Sequence, residues 1–534
     1  MLQEQILLVI SLLLGIALLT TLSNKLKVSY PILLVVAGLL ISLVPGVPYI
    51  TLKPDLVFLI FLPPLLYAAA WNISWHEFWK WKRPIALLAF GLVIFTSATV
   101  ALISNAVIPG FTLALGFLLG GIISPPDAVA ANSILNGLKV PKRVATILEG
   151  ESLVNDASSL IVFRFALTAI LTGQFYFWNA AKSFFLVVIM GIIIGVVIAI
   201  IIYFIHKLLA TTASIDSVIT LISPYIMYIT AEYFHFSGVL AVVSGGLFLS
   251  YRSQVLFTYE TRLQVVGLWD VLVFLLNGLV FVLIGLQLPV IINGLGEYSI
   301  GEAILYSVII SFVTIVIRII WVFPAAYIPR MIFKSIRQNE PYPPWRNVFL
   351  IGWSGMRGVV SLAAAFAVPL TLVDGTAFPH RNLILFISFF VILITLVLQG
   401  LSLKPLINLL KFQTDEKEAE KLQAIELRIR LAESALTYLD TNYPEETQHN
   451  ETYKRVRDRY ERMIDIAKRK LESEEAEDES AFFLPHYRQM LVELIHIRRR
   501  ELNYLRHKGE FSLELIRERE WELDIEEARL KMQK

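Results

Sequence analysis

The sequence predicts an all-α, polytopic membrane protein with a polar helical tail, and three observations carry that reading. Of the 534 residues, 56% are hydrophobic, and the mean hydropathy is +0.66. Only 17% are charged, against about 25% in an ordinary soluble chain. The charge is also uneven. Residues 1–411 hold 15 acidic and 23 basic side chains, whereas residues 412–534 hold 29 acidic and 23 basic. The chain therefore reads as a transmembrane domain over 1–411 carrying +8 and a soluble, charged C-terminal domain over 412–534 carrying −6. The small overall charge hides this division and identifies no partner.

A bilayer core of roughly 30 Å needs about 20 apolar residues per helix. Thirteen such runs fall near 6–22, 31–45, 55–71, 84–108, 112–136, 144–172, 183–205, 217–234, 237–251, 264–288, 302–328, 349–371 and 382–410. The first follows MLQEQ, which has no basic n-region, so it reads as a retained helix rather than a signal peptide. The chain has no cysteine, which excludes disulfides, thiolate metal sites and cysteine nucleophiles.

Lysine and arginine predict the orientation. Alternate loops, starting after the first span, hold Lys25, Lys27, Lys80, Lys82, Arg83, Lys139, Lys142, Arg143, Lys207, Arg252, Arg262, Arg330, Lys334, Arg337 and Arg346. The opposite loops and flanks hold only Lys53, Lys182 and Arg381. The expectation is a multi-pass protein of a bacterial inner membrane, with its N-terminus outside and C-terminus cytoplasmic. Trp71, Trp75, Trp79 and Trp81 cluster beside one basic loop, as an interfacial belt does.

Two spans carry helix-breaking chemistry at mid-depth. The fifth contains Ser124-Pro125-Pro126-Asp127, and the twelfth contains Gly352-Trp353-Ser354-Gly355-Met356-Arg357-Gly358. Proline has no N–H and forces the preceding residue towards extended backbone. Open backbone at this depth is tolerated only where protein or a water-filled cavity covers it. Interruptions at matching places in two halves point to a transport site between inverted repeats.

Ionisable side chains near the bilayer centre are functional by default, because each is costly to keep there. Asp127, Asp156, Arg318 and Arg357 all count to mid-depth along their spans at about 1.5 Å per residue. In Gly150-Glu151-Ser152-Leu153-Val154-Asn155-Asp156, Ser152 and Asp156 are four apart and share a helix face. Glu151 and Asn155 share a neighbouring one. A hard monovalent cation needs oxygen ligands. Asp156, Asp127, Ser152, Asn155 and a carbonyl near Pro126 are the candidates. Asp156 then has two alternative occupants, a cation or a proton, while Asn155 cannot titrate. Glu151 and Arg318 are expected to pair, since an unpaired buried arginine is costly. Arg357 balances broken-helix dipoles or pairs with an acid, and Arg164 is structural.

The remaining polar residues suggest less. Glu149 and Asp270 read as interfacial charges at helix ends. The eight histidines, among them His206 and His380, read as solvated. The tail reads as a solvated helical bundle, divided by Pro444, the acidic run Glu472 to Glu479 and Pro485. It has no nucleic-acid motif, and its acidity argues against that partner. No cofactor is expected.

These motifs resemble cation:proton antiporter family 1, which holds bacterial NhaP-type exchangers and is related to animal sodium/proton exchangers. Gly150–Asp156 and Ser124–Asp127 carry the likeness, joined by Gly355-Met356-Arg357-Gly358-Val359-Val360-Ser361 and, in position, Arg318. It covers about residues 1–411. The Pro125-Pro126 doublet stands where some members have a threonine before the aspartate. The resemblance implies thirteen helices in inverted repeats, crossed broken helices, a core moving against a dimerisation domain, and a homodimer. It implies a transporter, not an enzyme, that exchanges Na+, with Li+ or K+ as further cargoes, for H+ in pH homeostasis. Asp156 is then the shared cation and proton site, Asp127, Ser152 and a backbone carbonyl are further ligands, and Glu151 pairs with Arg318. Exchange by alternating access is electroneutral, since Asn155 stands where electrogenic relatives carry a second charge. A cation channel and a non-transporting membrane sensor are the alternatives. An intramembrane aspartyl protease needs a Gly-x-Gly-Asp context, which neither aspartate has.

Overall fold

The computed structural model describes residues 2–532 except 27, 45–57, 136–137, 139, 175–176, 210–211, 297, 373, 411–414, 473–475 and 509–512. Lys27, Lys53 and Lys139, used above for orientation, and the expected boundary at 411–412 lie outside the described residues. The chain forms two compact units, Met1–Phe412 and Gln413–Lys534.

The first unit is helical. In chain order it contains α1 (Leu2–Leu26), α2 (Tyr30–Ser42), α3 (Phe58–Asn72) and α4 (Lys82–Val107). There follow α5 (Leu113–Ile123), α6 (Ala128–Leu135), α7 (Lys142–Thr172), α8 (Phe177–Leu208), α9 (Ala213–Tyr233) and α10 (Gly238–Leu256). The last are α11 (Tyr259–Leu286), α12 (Ile300–Ile332), α13 (Trp345–Trp353), α14 (Val359–Phe366) and α15 (Arg381–Leu410). Eight helices among the described residues are long and apolar enough to cross a membrane, and α2, α3, α5 and α10 are shorter apolar helices. Start signals are local: Thr112, Thr212, Ser237 and Thr258 cap their helices through side-chain oxygens, and Ser299 with Glu302 forms a capping box.

Exposed apolar side chains cover the outside. On α8 they include Phe185, Ile189, Ile193, Val197 and Ile201, a surface that water does not tolerate at this extent. Inside, one apolar cluster gathers Leu118, Ile122, Leu350, Met356, Leu362 and Ile384, and a second gathers Leu66, Tyr67, Met227 and Val242. Small residues let α5 lie close against α4. A Cβ at Gly120 would stand 2.5 Å from the Ser97 Cα, and one at Gly116 2.5 Å from the Ala101 Cα.

Both expected interruptions are present. α5 stops at Ile123 and α6 starts at Ala128, leaving Ser124–Asp127 between them; α13 stops at Trp353 and α14 starts at Val359. The breaks touch, for the Asp127 N–H donates to the Met356 carbonyl at 2.7 Å. Two π-helical turns, Leu87–Leu92 in α4 and Thr395–Gln399 in α15, also adjoin the crossing region. Ser158 of α7 donates to the Ala89 carbonyl in the first, and Thr395 in the second accepts from the Arg357 N–H at 3.2 Å.

The second unit contains α16 (Asp415–Asn442), α17 (Glu451–Glu472), α18 (Ala476–Lys508) and α19 (Leu513–Met532). Lys468–Glu433 and Arg457–Asp440 link α17 to α16, and Arg498–Glu526 links α18 to α19. Such exposed pairs contribute little each; Ile429, Ala432, Ala467, Ile495 and Leu523 supply the buried apolar contacts. Pro485 does not divide the tail: α18 runs through it, and a helix of 33 residues absorbs the loss of one N–H bond.

Candidate functional site

A cavity of about 360 Å³ lies beside the two breaks. Its wall includes Pro125, Pro126 and Asp127 from the first break, Ser152 and Asp156 from α7, and Gly358 and Ser361 from the second break and α14. Asp156 is 8% exposed. The wall bears three carboxylates, Asp127, Glu149 and Asp156, and among the described residues no lysine or arginine. A low-dielectric pocket with that composition draws cations.

Asp127 precedes α6 and caps it, its Oδ1 accepting from the Val129 N–H at 2.8 Å. Its Oδ2 also lies against Gly358, the residue preceding α14, where any Cβ would overlap it. Asp127 thus stands at two helix N-termini, whose positive ends favour an anion. Arg357 does the converse. It is fully buried and donates to the Ile123 carbonyl at 2.9 Å, the Ser124 carbonyl at 3.5 Å and the Gly355 carbonyl. The Ile123 and Ser124 carbonyls stand at the C-terminal end of α5 and the Gly355 carbonyl lies in the second break, and among the described residues Arg357 makes no ion pair with an acid.

Glu151 and Arg318 meet across α7 and α12 as a two-pronged pair, Nη1–Oε1 2.5 Å and Nη2–Oε2 2.8 Å. Both are fully buried. Arg318 also donates to the Ile351 carbonyl at 3.1 and 3.3 Å, which ties the end of α13 to the pair. Asn155 lies behind the cavity wall. Its Nδ2 donates to the Pro126 carbonyl at 3.1 Å, and its Oδ1 is buried without a partner among the described residues. Asn155 therefore holds the carbonyl expected as a ligand rather than presenting its own oxygen to the cavity.

Several residues read as bland in the sequence take other places. Glu149 lines the cavity wall, where Asn132 of α6 donates to its Oε1 at 2.8 Å. The signal was in the spacing, since 149, 152 and 156 fall on one face of α7. His206 is not solvated: it is 7% exposed and bonds Asp216 at 2.7 Å, and Thr261 donates to the same carboxylate at 3.1 Å. That knot joins α8, α9 and α11. His380 bonds Tyr298 and the Gly110 carbonyl. Arg164 of α7 pairs with Glu232 of α9 at 2.6 Å. It lies on the opposite side of Asp156 from Glu149.

Residues 9–409 match the family described as sodium/hydrogen exchanger, transmembrane. A sodium, potassium, lithium and rubidium/H+ antiporter of Bacillus pumilus is 34% identical over 387 residues, covering 71% of this chain and 57% of that protein. The chain thus spans little more than half the length of that relative. A Na+/H+ antiporter of Aphanothece halophytica is 31% identical over 444 residues, covering 83% of this chain and 81% of the relative. Among solved structures, the sodium proton antiporter of Methanocaldococcus jannaschii superposes with a TM-score of 0.61 at 19% identity. That match covers 77% of this chain and 100% of the other, and it shows the same fold.

Proposed function

The chain belongs to the transmembrane sodium/hydrogen exchanger family, and from that premise we propose that it exchanges a monovalent cation for a proton at Asp156. The observation that carries the reading is a buried carboxylate, Asp156, on the wall of an acidic cavity that holds no basic side chain among the described residues. A bare buried carboxylate is costly. It is relieved by a proton or by a cation held among oxygens, and one site does not take both at once. Asp127, Ser152 and the Pro126 carbonyl are the further ligands of this reading. Asn155 orients that carbonyl, Arg357 steadies the crossing, and Glu151 with Arg318 holds α7 to α12.

The cavity runs from Asp156 towards Glu149, the end of α7 near Lys142 and Arg143. With basic loops on the cytoplasmic side, the cavity wall extends towards the cytoplasm, and the Arg164–Glu232 pair lies on the outer side of Asp156. An outside N-terminus, a cytoplasmic tail domain after residue 411, thirteen spans and a homodimer belong to the same proposal. So does service in pH homeostasis at a bacterial inner membrane.

The test is exchange in everted vesicles. Adding Na+, Li+ or K+ is expected to dequench a pH probe, at a rate that an imposed membrane potential leaves unchanged. A rate that follows the potential would rule out one-for-one exchange, and no response to any cation would rule out the function.

Glu149 adds a quantitative expectation. Residues 149 and 156 are about 10 Å apart at about 1.5 Å per residue. A unit charge there is worth about 1.5 kcal/mol at an effective dielectric near 20. Glu149→Gln should therefore raise the half-saturating cation concentration about tenfold at low salt, less at high salt, with the maximal rate retained. An unchanged half-saturation would remove Glu149 from the entry path.

A further inference from the structure

We propose that Ser361 is a further cation ligand, which supplies a hydroxyl oxygen from α14 to the ion at Asp156. The inference rests on the exchange reading above and extends its ligand set to the second broken helix.

Hydroxyls on membrane helices ordinarily settle on the carbonyl one turn back. Those of this protein do so repeatedly. Ser307 donates to the Ala303 carbonyl at 2.7 Å, Ser311 to Ser307 at 2.6 Å and Thr314 to Ile310 at 2.7 Å. Near the site, Ser159 donates to the Asp156 carbonyl at 2.9 Å and Ser158 to the Asn155 carbonyl at 2.9 Å. Ser361 does not. It is 1% exposed, and among the described residues its Oγ has no hydrogen-bond partner; the buried hydroxyls of Thr96, Ser97, Ser354 and Ser388 share that state, but of these five Ser361 is the one on the cavity wall with Asp156. The residues three and four positions back are Gly358 and Arg357, which lie in the break, and Gly358 has φ −137° and ψ −147°.

A buried polar group without a partner is costly and calls for an explanation. The other cavity oxygens are already engaged in part. Oδ1 of Asp127 accepts from Val129, and the Pro126 carbonyl accepts from Asn155. An alkali ion that sheds water needs several oxygens in return, whereas a proton needs one. A hydroxyl that joins only when the cation is bound therefore acts on the cation and not on the proton.

The test is Ser361→Ala in the full chain, with Ser361→Thr as the conservative control. In everted vesicles the alanine variant is expected to raise the half-saturating Na+ concentration about fivefold, the usual worth of one polar contact. Its maximal rate should stay at the wild-type value, and the threonine variant should retain wild-type affinity. In detergent, Na+ should raise the melting temperature of the alanine variant less than that of wild type. An alanine variant with wild-type half-saturation and wild-type thermal protection overturns the inference, as does a loss confined to the maximal rate. If the wild-type protein exchanges nothing, it is the exchange reading that fails; if it exchanges and only the Ser361 shift is missing, this inference fails alone.

Discussion

Asp156→Asn is expected to abolish cation-driven proton movement while the protein still inserts and folds. The substitution keeps shape and burial but removes the carboxylate proposed to exchange a proton for a cation. Asparagine is uncharged, so it relieves the cavity of its need for a partner ion, and melting in detergent should not fall. The loss should reach the vesicle background at every pH. In the wild type the two occupants compete, so acid pH should raise the cation concentration needed for half-maximal exchange, and raising the pH should lower it until the carboxyl is free of protons. Retained sodium-driven dequenching in the Asn variant would end the proposal that this carboxylate is the exchange site.

Arg318→Ala is the second large effect, this time on stability. It leaves Glu151 fully buried without its hydrogen-bonded counter-charge, and breaking one partner of such a pair typically costs about 3–5 kcal/mol. It also strips the Ile351 carbonyl of its donor, a smaller cost of about 1–3 kcal/mol. Neutralising both members, as Glu151→Gln with Arg318→Met, removes the stranded charge and should recover most of the loss, leaving the orphaned carbonyl. The readout is melting temperature and yield in detergent for the single and the double variant. Equal losses in the two would mean that the pair does not act as a unit.

The fold is legible in the sequence where the physics is local. The Pro125-Pro126 doublet and the glycines at 352, 355 and 358 announce the breaks, because missing N–H groups and missing side chains act on the spot. The partnership of Glu151 with Arg318 was also within reach, although 167 positions separate them, since each would be prohibitive alone. Other features depend on what the fold brings alongside. Glu149 counts to a helix end in one dimension, but the broken span carries Asn132 and an open cavity up to it. His206 and Asp216 sit at two helix ends ten positions apart, and only the packing of α8, α9 and α11 buries them together. Asn155 lies within the motif, yet its amide faces Pro126 and not the cavity. Ser361 gives no warning at all, because only the fold brings it to the cavity wall beside Asp156.

The opposed placements of Asp127 and Arg357 have a consequence for valence. Each helix end carries about half an elementary charge. Asp127 sits at two positive ends and Arg357 gathers carbonyls at negative ones. Glu151 and Arg318 cancel each other. Among the described residues at that depth, this leaves Asp156, with Glu149 about two turns away on the same wall. On the proposed exchange a single added positive charge neutralises Asp156, and the second charge of a calcium or magnesium ion would be met by Glu149 alone, about 10 Å off. The tally of fixed charges thus favours a monovalent cargo before ionic radius enters.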